Sequence, residues 1–122
     1  MHRDDPGQPV QPIIDALIAQ QQAGRIRHFG CSNWSPARIR KAQAHAARIG
    51  HQGFVACQPM WGLAEPDRTA MHNYAPGGYY EDGYRELHEQ GLSMIPYSAQ
   101  SRGVFSKPVS HTHPQPPTSD LE

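Results

Sequence analysis

Apolar residues recur along the chain at two spacings, one typical of helices and the other of strands. Between residues 9 and 22, apolar side chains lie three and four positions apart, which predicts an amphipathic helix. Gly24 can end that helix, because glycine readily adopts a positive φ. The short apolar stretch 26–31 is bounded by turn residues and therefore predicts a strand.

The same order of elements repeats along the chain. A second helix is predicted over 36–49, where Ser35 supplies the N-cap. Further strands are predicted over 54–58 and 93–97, separated by a long loop and a helix over 80–90. The buried stripe of the second helix is predicted at Ile39, Ala42, Ala46 and Ile49. Alternating strands and helices predict an α/β fold with a parallel sheet.

Composition narrows the possible functions. The 122 residues are enough for one domain with a modest core. Eleven basic and eleven acidic residues balance without a basic stripe, which argues against nucleic acid as a partner. No apolar run is long enough for a bilayer and the N-terminus has no signal-peptide pattern, so no membrane partner and a cytoplasmic location are predicted. Cys31 and Cys57 are expected to stay reduced there, since a single pair is weak evidence for a disulfide.

One change in composition divides the chain. Residues 1–107 carry the predicted helices and strands, whereas residues 108–122 are rich in Pro, Ser and His and predict a disordered tail. His111 and His113 flank one threonine in this tail, which is too few ligands for a rigid metal site, so no metal is predicted. The other histidines predicted to lie on solvated faces are His45, His72 and His88.

Polar side chains stand at the end of each predicted strand. Ser32 and Asn33 follow the first strand, and Gln58 ends the second. Tyr97 and Ser98 end the third. Because the carboxyl ends of parallel strands point the same way, these side chains are predicted to meet. Their donors and acceptors suit an amide-bearing ligand such as a nicotinamide ring. The alternative is that they only satisfy turn backbone and pack.

Four spaced motifs resemble the aldo/keto reductase family. The longest is Gly-Arg-Ile-Arg-His-Phe-Gly-Cys-Ser-Asn-Trp-Ser at 24–35. His-Arg-Asp-Asp stands at 2–5, Phe-Val-Ala-Cys-Gln-Pro-Met-Trp at 54–61, and Ile-Pro-Tyr-Ser-Ala-Gln-Ser-Arg-Gly at 95–103. Several motifs in the right order are more specific than any one alone. The resemblance covers residues 2–107 and implies part of a (β/α)8 TIM barrel, with about three parallel strands and their helices.

The resemblance also implies the roles of individual residues. Ser32, Asn33 and Gln58 match the residues that bind the nicotinamide carboxamide, and Tyr97 matches the tyrosine that stacks on the ring. The loop after the third strand matches the family's phosphate-binding loop, through Ser98, Gln100, Ser101, Arg102 and Gly103. From the residues alone, a plain flexible loop explains that stretch equally well.

The activity that the resemblance implies is hydride transfer between NADP, or NAD, and a carbonyl substrate. His2 matches the family's catalytic histidine, which orients the carbonyl and assists proton transfer. The family's catalytic tyrosine, aspartate and lysine have no matching motif, so the chain alone is predicted to be an inactive fragment. The alternative is a non-enzymatic interaction module that self-associates through the exposed arc of an open barrel.

Overall fold

The computed structural model of the chain describes residues 1–64 and 82–105. Three helices alternate with three strands over these residues, which confirms the predicted α/β class. The elements are α1 (Val10–Gln22), β1 (Gly30–Ser32), α2 (Pro36–Arg48), β2 (Ala56–Gln58), α3 (Asp82–Glu89), β3 (Ser93–Met94) and a short 3-10 helix (Ser101–Gly103). The predicted tail at 108–122, as well as His72 and Tyr80, lies outside the described residues.

The three strands form one parallel sheet in the order β1-β2-β3. Cys31 of β1 is paired with Cys57 of β2, and Cys57 is paired with Met94 of β3. The strands are shorter than predicted: β1 and β2 begin later, at Gly30 and Ala56, and β3 ends earlier, at Met94. One hydrogen bond precedes the ladder, from Val55 N–H to Phe29 O at 3.0 Å. The carboxyl ends of all three strands therefore lie at one edge, as the sequence predicted.

The core lies between one face of the sheet and the helices. Ile14 of α1 and Ile39 of α2 are fully buried. Tyr84 of α3 is buried as well, and its hydroxyl donates to Trp34 O at 2.7 Å. The helix faces predicted from spacing are thus those that pack inward. The remaining buried apolar residues are Val10, Ile18, Phe29, Cys31, Trp34, Ala42, Ala46, Phe54, Cys57, Leu87 and Leu92.

Two predictions about α2 are wrong. Ile49 is 51% exposed because the helix ends at Arg48, which leaves Ile49 as the C-cap, outside the buried stripe. His45 is buried, since position 45 faces α1 where the two helices pack. Its Nε2 lies 2.6 Å from Asp15 Oδ1, and Arg48 Nη2 lies 2.9 Å from its Nδ1. Because arginine can only donate, Nε2 carries the imidazole proton and donates to Asp15.

The segment before α1 is held against both β1 and α2. The Met1 ammonium group donates to Gly30 O at 2.7 Å, and Ser32 N–H donates to Met1 O at 2.8 Å. Arg38 of α2 donates two hydrogen bonds of 2.8 Å to the Asp4 carboxylate, from Nε to Oδ2 and from Nη2 to Oδ1. His2 thus lies between two anchored residues. No helix within residues 1–64 and 82–105 has the length and apolar character needed to cross a bilayer.

Candidate functional site

Hydrogen bonds join the side chains of Ser32, Asn33 and Tyr97 to one another and to the backbone at the end of β2. Ser32 and Gln58 are Cα partners, and Ser32 Oγ donates to Gln58 O at 3.0 Å. Asn33 Nδ2 donates to Ser32 Oγ at 3.1 Å. Tyr97 OH donates to Asn33 Oδ1 at 2.5 Å, which ties the end of β3 to the end of β1. The structure therefore brings together four of the five residues that the sequence grouped, whereas the fifth, Ser98, is exposed.

The backbone at the end of β1 places the Asn33 side chain in this cluster. Asn33 has φ of 58°, a left-handed conformation that asparagine adopts more readily than most residues. Its Nδ2 also donates to His2 O at 3.2 Å, so the N-terminal segment contributes a backbone acceptor. Asn33 is 5% exposed and Ser32 is 6% exposed. Both side chains are thus fixed before any ligand arrives.

Tyr97 is half-buried beside this cluster. Burial raises the pKa of its phenol above the ordinary value of 10.0, while the charge of Arg3 and the hydrogen bond to Asn33 oppose that shift. The phenol therefore stays neutral at physiological pH and donates its proton to Asn33. Its backbone is fixed too, because Tyr97 N–H donates to Pro59 O at 3.1 Å and Trp61 N–H donates to Tyr97 O at 3.2 Å.

An open cavity of about 380 Å³ lies against the sheet face turned away from the helices. Ser93 and Ile95, on that face of the third strand, are both exposed, and Ile95 is 52% exposed. Gly30 lets β1 and β2 approach closely at this cavity, since a Cβ built on Gly30 would lie 2.6 Å from Ala56 O. Its lining residues are Met1, His2, Gly30, Cys31, Ser32, Ala56, Gln58 and Ile95.

The unused donors and acceptors of the cluster define what it can bind. Both protons of Asn33 Nδ2 are engaged, so this group has no donor left to offer. Ser32 Oγ and Asn33 Oδ1 each keep acceptor capacity. Within the described residues the exposed Gln58 carboxamide has no hydrogen-bond partner, so it offers both a donor and acceptors. A ligand carboxamide fits this set: its NH₂ group meets acceptors, and its oxygen meets Gln58 Nε2.

The predicted phosphate loop forms a tight turn. Ser98 and Ser101 have φ of 60° and 47°. Ser101 N–H donates to Ser98 O and Gly103 N–H donates to Gln100 O, both at 2.8 Å. These two N–H groups are used inside the loop, so a phosphate has to be met by other groups or by a rearranged turn. Gln100 is exposed, and the side chain of Arg102 lies outside what the structure describes.

His2 stands at the rim of the cavity with an exposed side chain. Its carbonyl group joins the cluster through Asn33, and its imidazole makes no contact that would fix its orientation within the described residues. Over residues 1–64 and 82–105, no three His, Cys, Asp or Glu side chains come close enough to hold a metal ion.

The sequence did not reveal two contacts that hold the chain segments around the cluster in place. Arg38 of α2 holds the turn after His2 through its ion pair with Asp4. Gly62 packs so tightly against the loop after β3 that a Cβ there would lie 2.8 Å from Ser101 Oγ. Periodicity gives no signal for either contact, because the partners are 34 and 39 positions away along the chain.

Comparisons with known proteins agree with the motifs. The family model described as "Aldo/keto reductase family" matches residues 1–120. AAD16 of Saccharomyces cerevisiae, whose name assigns it provisionally to the aryl-alcohol dehydrogenases, is 23% identical over 92% of the chain. The uncharacterized oxidoreductase YrpG of Bacillus subtilis is 30% identical over 86%, and versiconal hemiacetal acetate reductase of Aspergillus parasiticus is 27% identical over 88%. The chain spans only 30%, 29% and 28% of the lengths of these relatives.

Proposed function

Since the chain belongs to the aldo/keto reductase family, we propose that it forms the nicotinamide-binding rim of an NADP-linked carbonyl oxidoreductase. The family is NAD(P)-dependent, and NADP is the proposed cofactor, with NAD as the alternative that binding has to distinguish. The observation that carries this proposal is the hydrogen-bonded series from Tyr97 through Asn33 and Ser32 to the end of β2.

The nicotinamide carboxamide is proposed to bind between Asn33, Ser32 and Gln58. Its NH₂ group would donate to Asn33 Oδ1 and Ser32 Oγ, and its oxygen would accept from Gln58 Nε2. The Tyr97 ring stands beside these groups and would pack on the pyridine ring. When bound, the reduced cofactor supplies hydride to a carbonyl carbon. Hydrogen bonds among Ser32, Asn33 and Tyr97 fix these three side chains, so the ordering cost at binding falls mainly on the Gln58 side chain.

Turnover by the 122-residue chain is not part of this proposal. Reduction of a carbonyl needs a proton at the carbonyl oxygen, which general acid catalysis supplies. The resemblance to the family implies a tyrosine for that role, assisted by aspartate, lysine and histidine. Of these four residues, only the histidine has a matching motif in this chain, at His2. We propose that His2 orients the carbonyl oxygen at the cavity rim. The names of two relatives suggest an alcohol–carbonyl pair as the substrate class for a complete enzyme.

Nicotinamide mononucleotide tests the ring site separately from any adenosine contact. We expect saturable binding to the purified chain, followed by ligand-observed NMR. Gln58→Ala should weaken binding about tenfold, the value of one or two hydrogen bonds. Gln52→Ala removes an equally exposed glutamine away from the three strand ends and should leave binding unchanged. Absence of saturable binding, or equal loss in both variants, would overturn the proposal.

The finer parts of the proposal have their own tests. NADP and NAD, titrated against the same chain, decide the preference for the adenosine phosphate. A steady-state assay with NADPH and a simple aldehyde should show no turnover above the rate without protein. Turnover by the chain alone contradicts the proposed inactivity, and leaves the ring site intact as a proposal.

A second candidate function is self-association through the uncovered face of the sheet. It is favoured by the exposure of Ile95 beside the open cavity, because exposed apolar surface on an open sheet promotes pairing with another chain. Size-exclusion chromatography over a range of concentrations should then show a dimer that Ile95→Ser weakens. A strictly monomeric chain at high concentration rules this candidate out.

A further inference from the structure

Two cysteines occupy the same rung of the sheet. Cys31 in β1 and Cys57 in β2 are Cα partners in the parallel register, and both are free thiols. Neighbouring strands lie about 4.8 Å apart, which falls within the ~4.4–6.8 Å Cα separation that a disulfide spans. Since paired residues point to the same face of a sheet, the two sulfurs can meet without a change of register.

The two thiols are neighbours on this rung, and each affects the protonation of the other. A hydrogen bond to Cys57, together with burial, raises the pKa of Cys31 well above its usual value. The same bond lowers the pKa of Cys57, because its sulfur is the acceptor. Cys57 therefore loses its proton before Cys31 does. Cys31 borders the open cavity, but the two thiols are buried, at 4% and 0% exposed, so a small oxidant has to reach them by local opening of the sheet. Neither thiol has a role in the proposed cofactor site.

We propose that Cys31 and Cys57 form a reversible modification site, closed to a disulfide by a hydroperoxide. The Cys57 thiolate attacks the peroxide, the O–O bond breaks, and a sulfenic acid and hydroxide result; the hydroxide takes up the proton that Cys57 released and becomes water. Cys31 sulfur then attacks the Cys57 sulfur, the S–O bond breaks, and a second water leaves with the Cys31 proton. Two thiols lose two electrons in total, and one hydrogen peroxide is reduced to two waters.

The disulfide would lie one residue before the polar cluster on both strands. Cys31 precedes Ser32, and Cys57 precedes Gln58, whose carbonyl accepts the Ser32 hydroxyl. Oxidation would therefore join β1 and β2 covalently at the base of the ring site. An effect on nicotinamide binding rests on the proposed function, whereas formation of the disulfide does not.

Hydrogen peroxide titration of the folded, reduced chain tests the site, with intact mass and free-thiol counts as the readouts. We expect loss of the mass of two hydrogens per chain, joint loss of both thiols, no covalent dimer, and full reversal by dithiothreitol. Cys31→Ser and Cys57→Ser should instead acquire oxygen or form covalent dimers, because a lone sulfenic acid has no internal partner.

A control variant tests whether disulfide formation depends on the two cysteines lying on the same rung of the sheet. The double variant A56C/C57A moves the second thiol by one residue and therefore to the opposite face of β2. Its internal disulfide should form at least roughly tenfold more slowly than that of the wild-type chain, since the sulfurs no longer face each other. Equal rates, or wild-type oxidation that gives only oxygen adducts and dimers, would overturn the proposal. Nicotinamide binding is not measured in this experiment, so its outcome is independent of the proposed function.

Discussion

Replacement of Arg38 by methionine should destabilise the fold far more than the same change at Arg40, two positions away on α2. The Arg38 guanidinium lies 5.3 Å from the centre of the Trp34 ring and grips the Asp4 carboxylate with two contacts of 2.8 Å. Its Nη1 also donates to Gln8 O at 2.9 Å. The Arg38 and Asp4 side chains are only 15% and 7% exposed.

The expected magnitude follows from that burial. Removal of one partner from a buried ion pair costs about 3–5 kcal/mol, because the remaining charge is left without compensation. Asp4 stands near the protein surface and can regain part of its hydration, so we expect a loss of about 2–3 kcal/mol for Arg38→Met. Arg40 pairs with Glu86 through side chains that are 41% and 59% exposed. Arg40→Met should therefore cost only about 0–1 kcal/mol.

Urea unfolding followed by circular dichroism measures both variants without relying on Trp34 fluorescence, which the loss of Arg38 would itself perturb. A double-mutant cycle with Asp4→Asn isolates the pair and should give a coupling free energy of about 1–3 kcal/mol. If Arg38→Met costs no more than Arg40→Met, or if the cycle shows no coupling, then the N-terminal turn is not held in the way that the contacts indicate.

The remaining predictions concern three positions. Burial raises the folded-state pKa of Tyr97 above 10.0, so its neutral phenol stabilises the fold at lower pH and this contribution is lost as pH rises through the raised value. Tyr97→Phe should thus reduce the fall in unfolding free energy above about pH 10, and parallel curves for the two proteins would contradict this. Gln43 binds Phe54 N and O at 2.8 and 2.9 Å, so Gln43→Ala should cost about 2 kcal/mol in urea unfolding, and a loss below about 0.5 kcal/mol contradicts it. Gly30→Ala places a Cβ 2.6 Å from Ala56 O and should lower stability by about 1–3 kcal/mol, whereas an unchanged midpoint would show that the strands separate freely.

The order of elements was readable from the sequence because each helix and strand carries its own signal. Ser35 accepts a hydrogen bond from Arg38 N–H at 3.4 Å, so the predicted N-cap is the observed one. Gly24 has φ of 73° just past α1, as a helix-ending glycine requires. Local chemistry of this kind needs no knowledge of distant residues, and it fixed the alternation from which the parallel sheet follows.

Features that depend on contacts between distant elements were not readable. His45 looks like a surface residue on a basic helix face, and only the approach of α1 brings Asp15 to it. The length of each strand likewise depends on where its neighbour begins to pair: Phe29 bonds to Val55 but lies outside the ladder of β1. A single sequence contains the residues of such pairs without stating which of them meet.

The candidate site has one property that was readable from the sequence and one that was not, and the second determines what the site can bind. Its members were predictable because each follows a strand, and parallel strands end at one edge. Which of their donors and acceptors remain unused was not predictable, because Asn33 donates to Ser32 and to the His2 carbonyl. Ser32 and Asn33 therefore present only acceptors to a ligand, and the exposed Gln58 carboxamide adds a donor. A ring carboxamide needs a donor for its oxygen, so discrimination between a carboxamide and a plain amine falls on Gln58 alone within this cluster.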